Sequence, residues 1–278
     1  MVGAIAPKVE LAEIERARRK PTESLDAYDY FLRGISAVHR WTKEGGNEAL
    51  RMFRKAIEID PNFASAYGMA VRCYSQRKAG GWVTDRDQDV AEAERLALRA
   101  AELGADDAVA LCTAGIGLAF VVGETEKGAT LIDRALSLNP NLAMAWLFSG
   151  WVNVWFGRPE IAVERVGHAM RLSPNDPQIA MMQAAMACAH FFADRVAEAI
   201  TWAERSVALQ PHYFIGACVL AVAKAAAGRI PESHKAMVRL RQIDPALRIS
   251  NLWEWFPIRR EEDLSRWVEG LRLAGLPE

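Results

Sequence analysis

The sequence predicts an all-α fold, an array of about six helix pairs closed by a C-terminal capping helix. Three observations carry that expectation. A short apolar phrase ending in proline recurs along the chain, the segments between keep a 3.6-residue apolar period, and no run alternates apolar with polar residues. The phrase reads EALRMFRKAIEIDP (48–61), GATLIDRALSLNP (128–140), IAVERVGHAMRLSP (161–174), EAITWAERSVALQP (198–211) and ESHKAMVRLRQIDP (232–245). EAERLALRAAELGA (92–105) is the same phrase with Ala105 in the place of the proline. Closing positions at 61, 105, 140, 174, 211 and 245 lie 44, 35, 34, 37 and 34 residues apart, a 34-residue period with insertions.

Each closing proline ends a helix, because its ring blocks the helical hydrogen bond and pushes the preceding residue out of the helical region. Between a proline and the next phrase runs a second helical pattern, such as Tyr67, Ala70, Val71 and Tyr74, or Trp146, Ser149, Gly150 and Asn153. The pairs are expected near 27–59, 62–103, 107–138, 142–172, 176–209 and 213–243. Ahead of them, residues 1–26 read as a linker or helix, so the array spans 27–245 and residues 246–278 form the C-terminal connection and cap. Residues 246–260, with WEWFP, connect onto a last helix near 261–274. Its Leu264, Trp267, Val268 and Leu271 make one apolar stripe, with Glu261, Glu262, Asp263, Arg266 and Glu269 facing water. The segment AGGWVTDRDQ (79–88) adds about ten residues where a short turn would serve. It reads as a turn broken at Gly80 and Gly81 with Trp82 tucked against the array, rather than as a projecting partner-binding loop.

The same residues resemble the tetratricopeptide repeat family. Ala49, Phe53, Ala56 and Pro61 fit the second helix of its pattern, and Trp146, Gly150, Ala162, Ala169 and Pro174 fit a full unit beginning at Ala143. In the last unit Ser233, Met237 and Leu240 stand where small and aromatic residues belong. The resemblance implies a right-handed superhelix that recognises proteins or peptides, with the first helix of each pair lining the concave surface. On that geometry the inward positions are Val109, Cys112, Ile116 and Phe120 in the third pair and Met144, Leu147, Trp151, Val154 and Trp155 in the fourth. Met181, Ala185 and Cys188 continue them in the fifth. Ile116, Phe120, Met144, Leu147, Trp151, Val154, Trp155 and Met181 are the candidate partner-binding groove. The family's carboxylate-clamping Lys, Arg and Asn are absent from these positions, so the expected ligand is an apolar helix or peptide of a partner, or a second copy of the chain. Self-coverage of the groove, by its own side chains or by a terminal segment, is the competing expectation.

A second resemblance concerns residues 2–34 (VGAIAPKVELAEIERARRKPTESLDAYDYFLRG) and the ending LRLAGLPE. They resemble the repeat-bearing C-terminal part of bacterial multidomain class III adenylate/guanylate cyclases. The chain shows neither the strand–helix alternation nor the paired metal-binding Asp segment of the cyclase domain, so no catalytic residue carries over. Met1 before VGAIAP reads as a start inside a larger protein.

Composition bounds the rest. At 278 residues the chain exceeds a usual domain of roughly 100 to 200 residues, as two domains or a repeat array would. Lys and Arg number 34 against 35 Asp and Glu, which gives no electrostatic reason to expect nucleic acid or an anionic membrane surface. Cys73, Cys112, Cys188 and Cys218 form no C-x-x-C pair and read as buried thiols of a reducing compartment. MVGAIA is too short for a signal peptide, and the uncharged stretches Ala108–Gly123 and Pro177–Ala193 fall short of a spanning helix, so a cytoplasmic location is expected. The five histidines, His39, His168, His190, His212 and His234, have no second His or Cys one helical turn away, and no phosphate-loop, metalloprotease or nucleophile-elbow motif occurs. No metal, cofactor or catalytic residue is expected. The basic run ARRK (17–20) shares its segment with Glu10, Glu13 and Glu15 and reads as a solvated face.

Overall fold

The computed structural model describes residues 12–17, 20 and 25–278, and among these every regular element is helical. Residues 1–11, 18–19 and 21–24, which hold the AIAP start and part of the basic run, lie outside the described residues. The chain divides into two compact units. One comprises the chain through Lys78 with Trp82–Phe148, the other Ala79–Gly81 with Ser149–Glu278.

The first unit holds α1 (12–17), α2 (Ala27–Val38), α3 (Lys43–Ile59), α4 (Ala64–Ala79), α5 (Arg86–Leu103), α6 (Ala108–Gly117), α7 (Thr125–Leu138) and the start of α8 (Ala143–Trp155). A π-helical turn, Leu118–Val122, prolongs α6. The helix starts have local causes. Asp26 forms a reciprocal capping box with Asp29 on α2, Thr42 Oγ1 accepts from Gly45 N–H at 3.0 Å, and Asp107 accepts from both Val109 and Ala110. The stops recur in register. Asp60 and Asn139, each just before a closing proline, accept through Oδ1 from the N–H two residues on, at 3.0 Å in both cases, which fixes the turn that separates two helices.

The 79–88 segment is a turn. Helix α4 continues to Ala79, Gly81 takes the left-handed region at φ 71°, and Trp82 is half-buried with its N–H on Arg77 O at 2.9 Å. Asp85 then caps α5 on Gln88.

The second unit holds the rest of α8, then α9 (Pro159–Leu172), α10 (Ile179–Phe192), α11 (Val196–Leu209), α12 (Phe214–Ala226), α13 (Ile230–Ile243), a 3-10 turn Ile249–Glu254 and α14 (Glu261–Leu273). Asp244 Oδ1 accepts from Ala246 N–H at 2.9 Å, the same turn again after α13. Small residues mark the close crossings, as the repeat requires. A Cβ on Gly150 would collide with the wholly buried Val166, and in the first unit a Cβ on Gly115 would lie 2.7 Å from Gly128 O.

Helix α14 does not continue the stack. A helix in the next repeat position would pack mainly on the second helix of the pair before it, as α12 does on α11, whereas α14 packs on α12. Asp263, expected to face water, is 2% exposed there. Its carboxylate lies inside the first turn of α14, against the Arg260 side chain at 3.7 Å and beside Gly157, so α14 enters deeper than an amphipathic cap would.

Candidate partner-binding face

The candidate groove residues fall on the first helices of their pairs, but their side chains are covered. In the first unit Ile116 and Phe120 are buried and Leu147 is wholly so, while Met144 is half-buried against the core that includes Val121. Phe120 sits in the π-helical turn, where Lys78 donates from Nζ to Phe120 O at 2.6 Å and lies 4.7 Å from the ring centre. In the second unit Trp151, Val154, Trp155 and Met181 are 4%, 2%, 4% and 6% exposed. The Trp151 and Trp155 rings stack at 6.0 Å with 27° between planes. In the resting chain these side chains are buried, apart from the half-buried Met144.

The C-terminal connection lies against the end of α8 in the second unit. Arg259 N–H donates to Trp155 O at 2.9 Å, and Arg260 donates to Gly157 O at 3.2 Å. From there α14 runs over the first helices of the last two pairs. Trp267, 1% exposed, meets Phe191 edge-on at 5.9 Å and Phe192 at 5.8 Å, both at the end of α10. Gly270 lies so close to α12 that a Cβ would be 2.6 Å from Val222 Cγ1. Phe256 bridges Trp267 (5.0 Å) and Phe214 (6.0 Å). Arg266 closes the edge, with one nitrogen 2.6 Å from Asp194 and 3.3 Å from Phe191 O. Sequence reasoning placed the Trp267 stripe correctly and missed its seat. The available signal was the aromatic cluster at Trp255, Phe256 and Trp267, too rich for a helix that only closes a stack.

Two polar atoms in this seat are buried without a hydrogen bond, Asp263 Oδ2 and Trp267 Nε1. Burial pushes the Asp263 carboxyl above its usual range, against the pull of Arg260 and Arg266. On the α10 side His190 Nδ1 accepts from Arg195 at 2.8 Å, and burial followed by the Arg195 charge holds the imidazole below its ordinary value.

The four thiols are buried. Burial pushes Cys73 up to about 12 and raises Cys112, Cys188 and Cys218 further, so none is a thiolate at neutral pH. Among the described residues no group of three His, Cys, Asp or Glu converges, and no helix is long and apolar enough to cross a membrane. Arg72, 4% exposed, places its guanidinium 5.5 Å from the Trp41 ring centre and 5.6 Å from that of Phe148.

No protein-family profile matches the chain. Among curated proteins it is similar to the transcriptional regulator HilA of Salmonella typhimurium, 24% identical over 151 residues, 54% of this chain. The matched stretch is 27% of HilA, so the chain spans well under half the length of the curated relatives it matches. Among solved structures it is similar to a monomeric mutant of IFIT1 with Gppp-AAAA, with TM-score 0.65 and 13% identity, covering 98% of this chain and 64% of that one. The APC/C hetero-tetramer Cut9–Hcn1 gives TM-score 0.61 and 15% identity over 94% of this chain and 46% of that one. Pseudomonas aeruginosa pilF gives 0.51 and 16% over 80% and 93%. At these identities the likenesses show the fold alone, an all-helical tetratricopeptide-type repeat.

Proposed function

We propose that the chain is a protein–protein interaction scaffold, with residues 27–245 as its repeat array, 1–26 as a preceding linker and 246–278 as a returning C-terminal segment. The observation that carries the reading is the helix-pair repeat itself. Its side chains are used for packing between helices, and the family it resembles presents such arrays to partner proteins. The finer reading is regulatory. The resemblance around residues 2–34 points to the C-terminal repeat region of an adenylate/guanylate cyclase, and the curated relative HilA, similar over part of this chain, is a transcriptional regulator. Both make the array a module that conditions a separate activity. The candidate partner-facing residues in this reading are Ile116, Phe120, Met144 and Leu147 in the first unit and, separately, Trp151, Val154, Trp155 and Met181 in the second.

The test is capture from native extract by the immobilised full chain, with excess soluble chain as competitor. A specific partner displaced by the soluble chain is expected. A stable dimer at micromolar concentration, with no partner retained after cross-linking, would overturn the reading in favour of a purely structural dimerisation module.

A further inference from the structure

We infer that the face formed by α10 and α12 is a helix-docking surface held closed by the chain's own segment Phe256–Leu276, and that a partner opens it by presenting an amphipathic helix with an aromatic residue followed three positions later by glycine. The inference rests on the scaffold reading and adds how its surface is regulated and what fits it.

The resident helix defines the chemistry of the surface. Trp267 fills the place bounded by Phe191, Phe192 and Phe256, and Gly270, one turn on, lets the helix backbone approach Val222. A rival helix needs a large ring at the first position and no side chain at the second, or it cannot reach the same depth. Leu271, wholly buried, adds an aliphatic contact beside Gly270. The rim is charged, with Arg266 on Asp194 at 2.6 Å, so the rival also gains from a cation one residue before its aromatic.

Three features make this seat releasable. First, α14 lies on α12 instead of extending the stack through α13, so its departure leaves the pair α12/α13 intact. Second, Asp263 Oδ2 and Trp267 Nε1 are buried in the seat without a hydrogen bond, Asp263 having only the 3.7 Å ion pair with Arg260, a penalty borne only while the segment is docked. A rival with a neutral residue at the Asp263 position avoids part of it. Third, the connection meets the end of α8 and the turn after it through hydrogen bonds to backbone oxygens, Arg259 N–H to Trp155 O and Arg260 to Gly157 O.

The experiment uses the full chain and a fluorescent synthetic peptide of residues 256–278. In wild type the resident segment competes, so the peptide binds weakly. Arg266→Glu, which sets two acids together at the rim, and Gly270→Val, which crowds Val222, are each expected to tighten peptide binding at least tenfold while the helical circular dichroism is retained. The same peptide carrying Asp263→Asn is expected to bind tighter than the native sequence. Hydrogen exchange on wild type supplies a readout independent of any variant's folding: the amides of 261–273 should open more readily than those of α10 and α12 and lose protection when peptide is added. Equal peptide affinity for wild type and both variants would overturn the proposal, and so would exchange of α14 only through global unfolding. Readily opening α14 with no peptide binding to either variant would overturn the docking surface and leave the scaffold reading to its own capture test.

Discussion

Replacing Trp151 and Trp155 by alanine tests whether the centre of the candidate groove is core in the resting chain. Each ring is 4% exposed, and an indole of this kind buries about 150–250 Å². At about 25 cal/mol per Å² that corresponds to about 4–6 kcal/mol per ring, an upper bound because the unfolded chain already covers part of the surface. Truncations of large aromatic residues to alanine cost about 3–5 kcal/mol, in the same range. The two rings stack at 6.0 Å, so each single variant already removes their mutual contact and the double variant falls short of the sum by about 1 kcal/mol. The expected loss for the pair is about 5–9 kcal/mol, against total stabilities of about 5–15 kcal/mol for ordinary domains. The assay is urea unfolding followed by far-ultraviolet circular dichroism. Because the chain has two compact units, two transitions are to be fitted, and the loss should fall on that of the second unit, which holds Trp151 and Trp155. Each single variant should lower that midpoint clearly, and the double variant should be largely unfolded in that unit. A double variant whose midpoint stays within a small fraction of wild type would refute the reasoning and return these rings to the role of an exposed site.

Other expectations follow from the same contacts. Gly115→Ala places a methyl 2.7 Å from Gly128 O and Ile132 Cγ1, a backbone clash that should cost about 1–3 kcal/mol in thermal melts. Thr42→Ala removes the cap on Gly45 N–H and should cost about 1 kcal/mol, with Thr42→Ser close to wild type. His190 is held below its ordinary value, so the native state resists the proton that the unfolded chain accepts. Stability should therefore be full above about pH 6.5 and fall as the pH drops toward the native value, a slope that His190→Gln removes in acid-range denaturation curves. The four buried thiols should be unreactive to a disulfide reagent in the native chain and all titrate in denaturant; rapid native reaction of Cys188 or Cys218 would contradict their burial.

How legible this architecture was depends on the range of the interaction in question. The closing prolines are local, and the helices end where they stand. Asp60, Asn139 and Asp244, each next to its proline, add a side-chain turn to three of these stops. The apolar stripe of α14 was legible for the same reason, because the period of one helix is written within a few turns. What that stripe meets is another matter. Trp267 rests on Phe191, and Arg266 bonds Phe191 O from 75 residues away in sequence, a distance at which periodicity carries no information. Asp263 was misassigned for the same cause, since a carboxylate in the first turn of a helix is favoured at the surface by the helix dipole, and only the depth of the Gly270 approach carries it inside.

That misassignment bears on function. Family geometry can say which side chains point toward a concave face, and the eight groove residues from Ile116 to Met181 were chosen on that basis. Whether such a face is open depends on whatever else the chain can lay across it. Here the segment that crosses the second unit is itself aromatic, so it lowers the free energy of the resting chain by covering apolar surface of α10 and α12. A partner must then exceed the affinity of a covalently tethered competitor, whose advantage is its high effective concentration. Selectivity follows from this competition: a weakly apolar peptide that would bind a bare groove cannot displace Trp267, whereas a helix that reproduces the Trp267 and Gly270 spacing while omitting the buried carboxylate of Asp263 can.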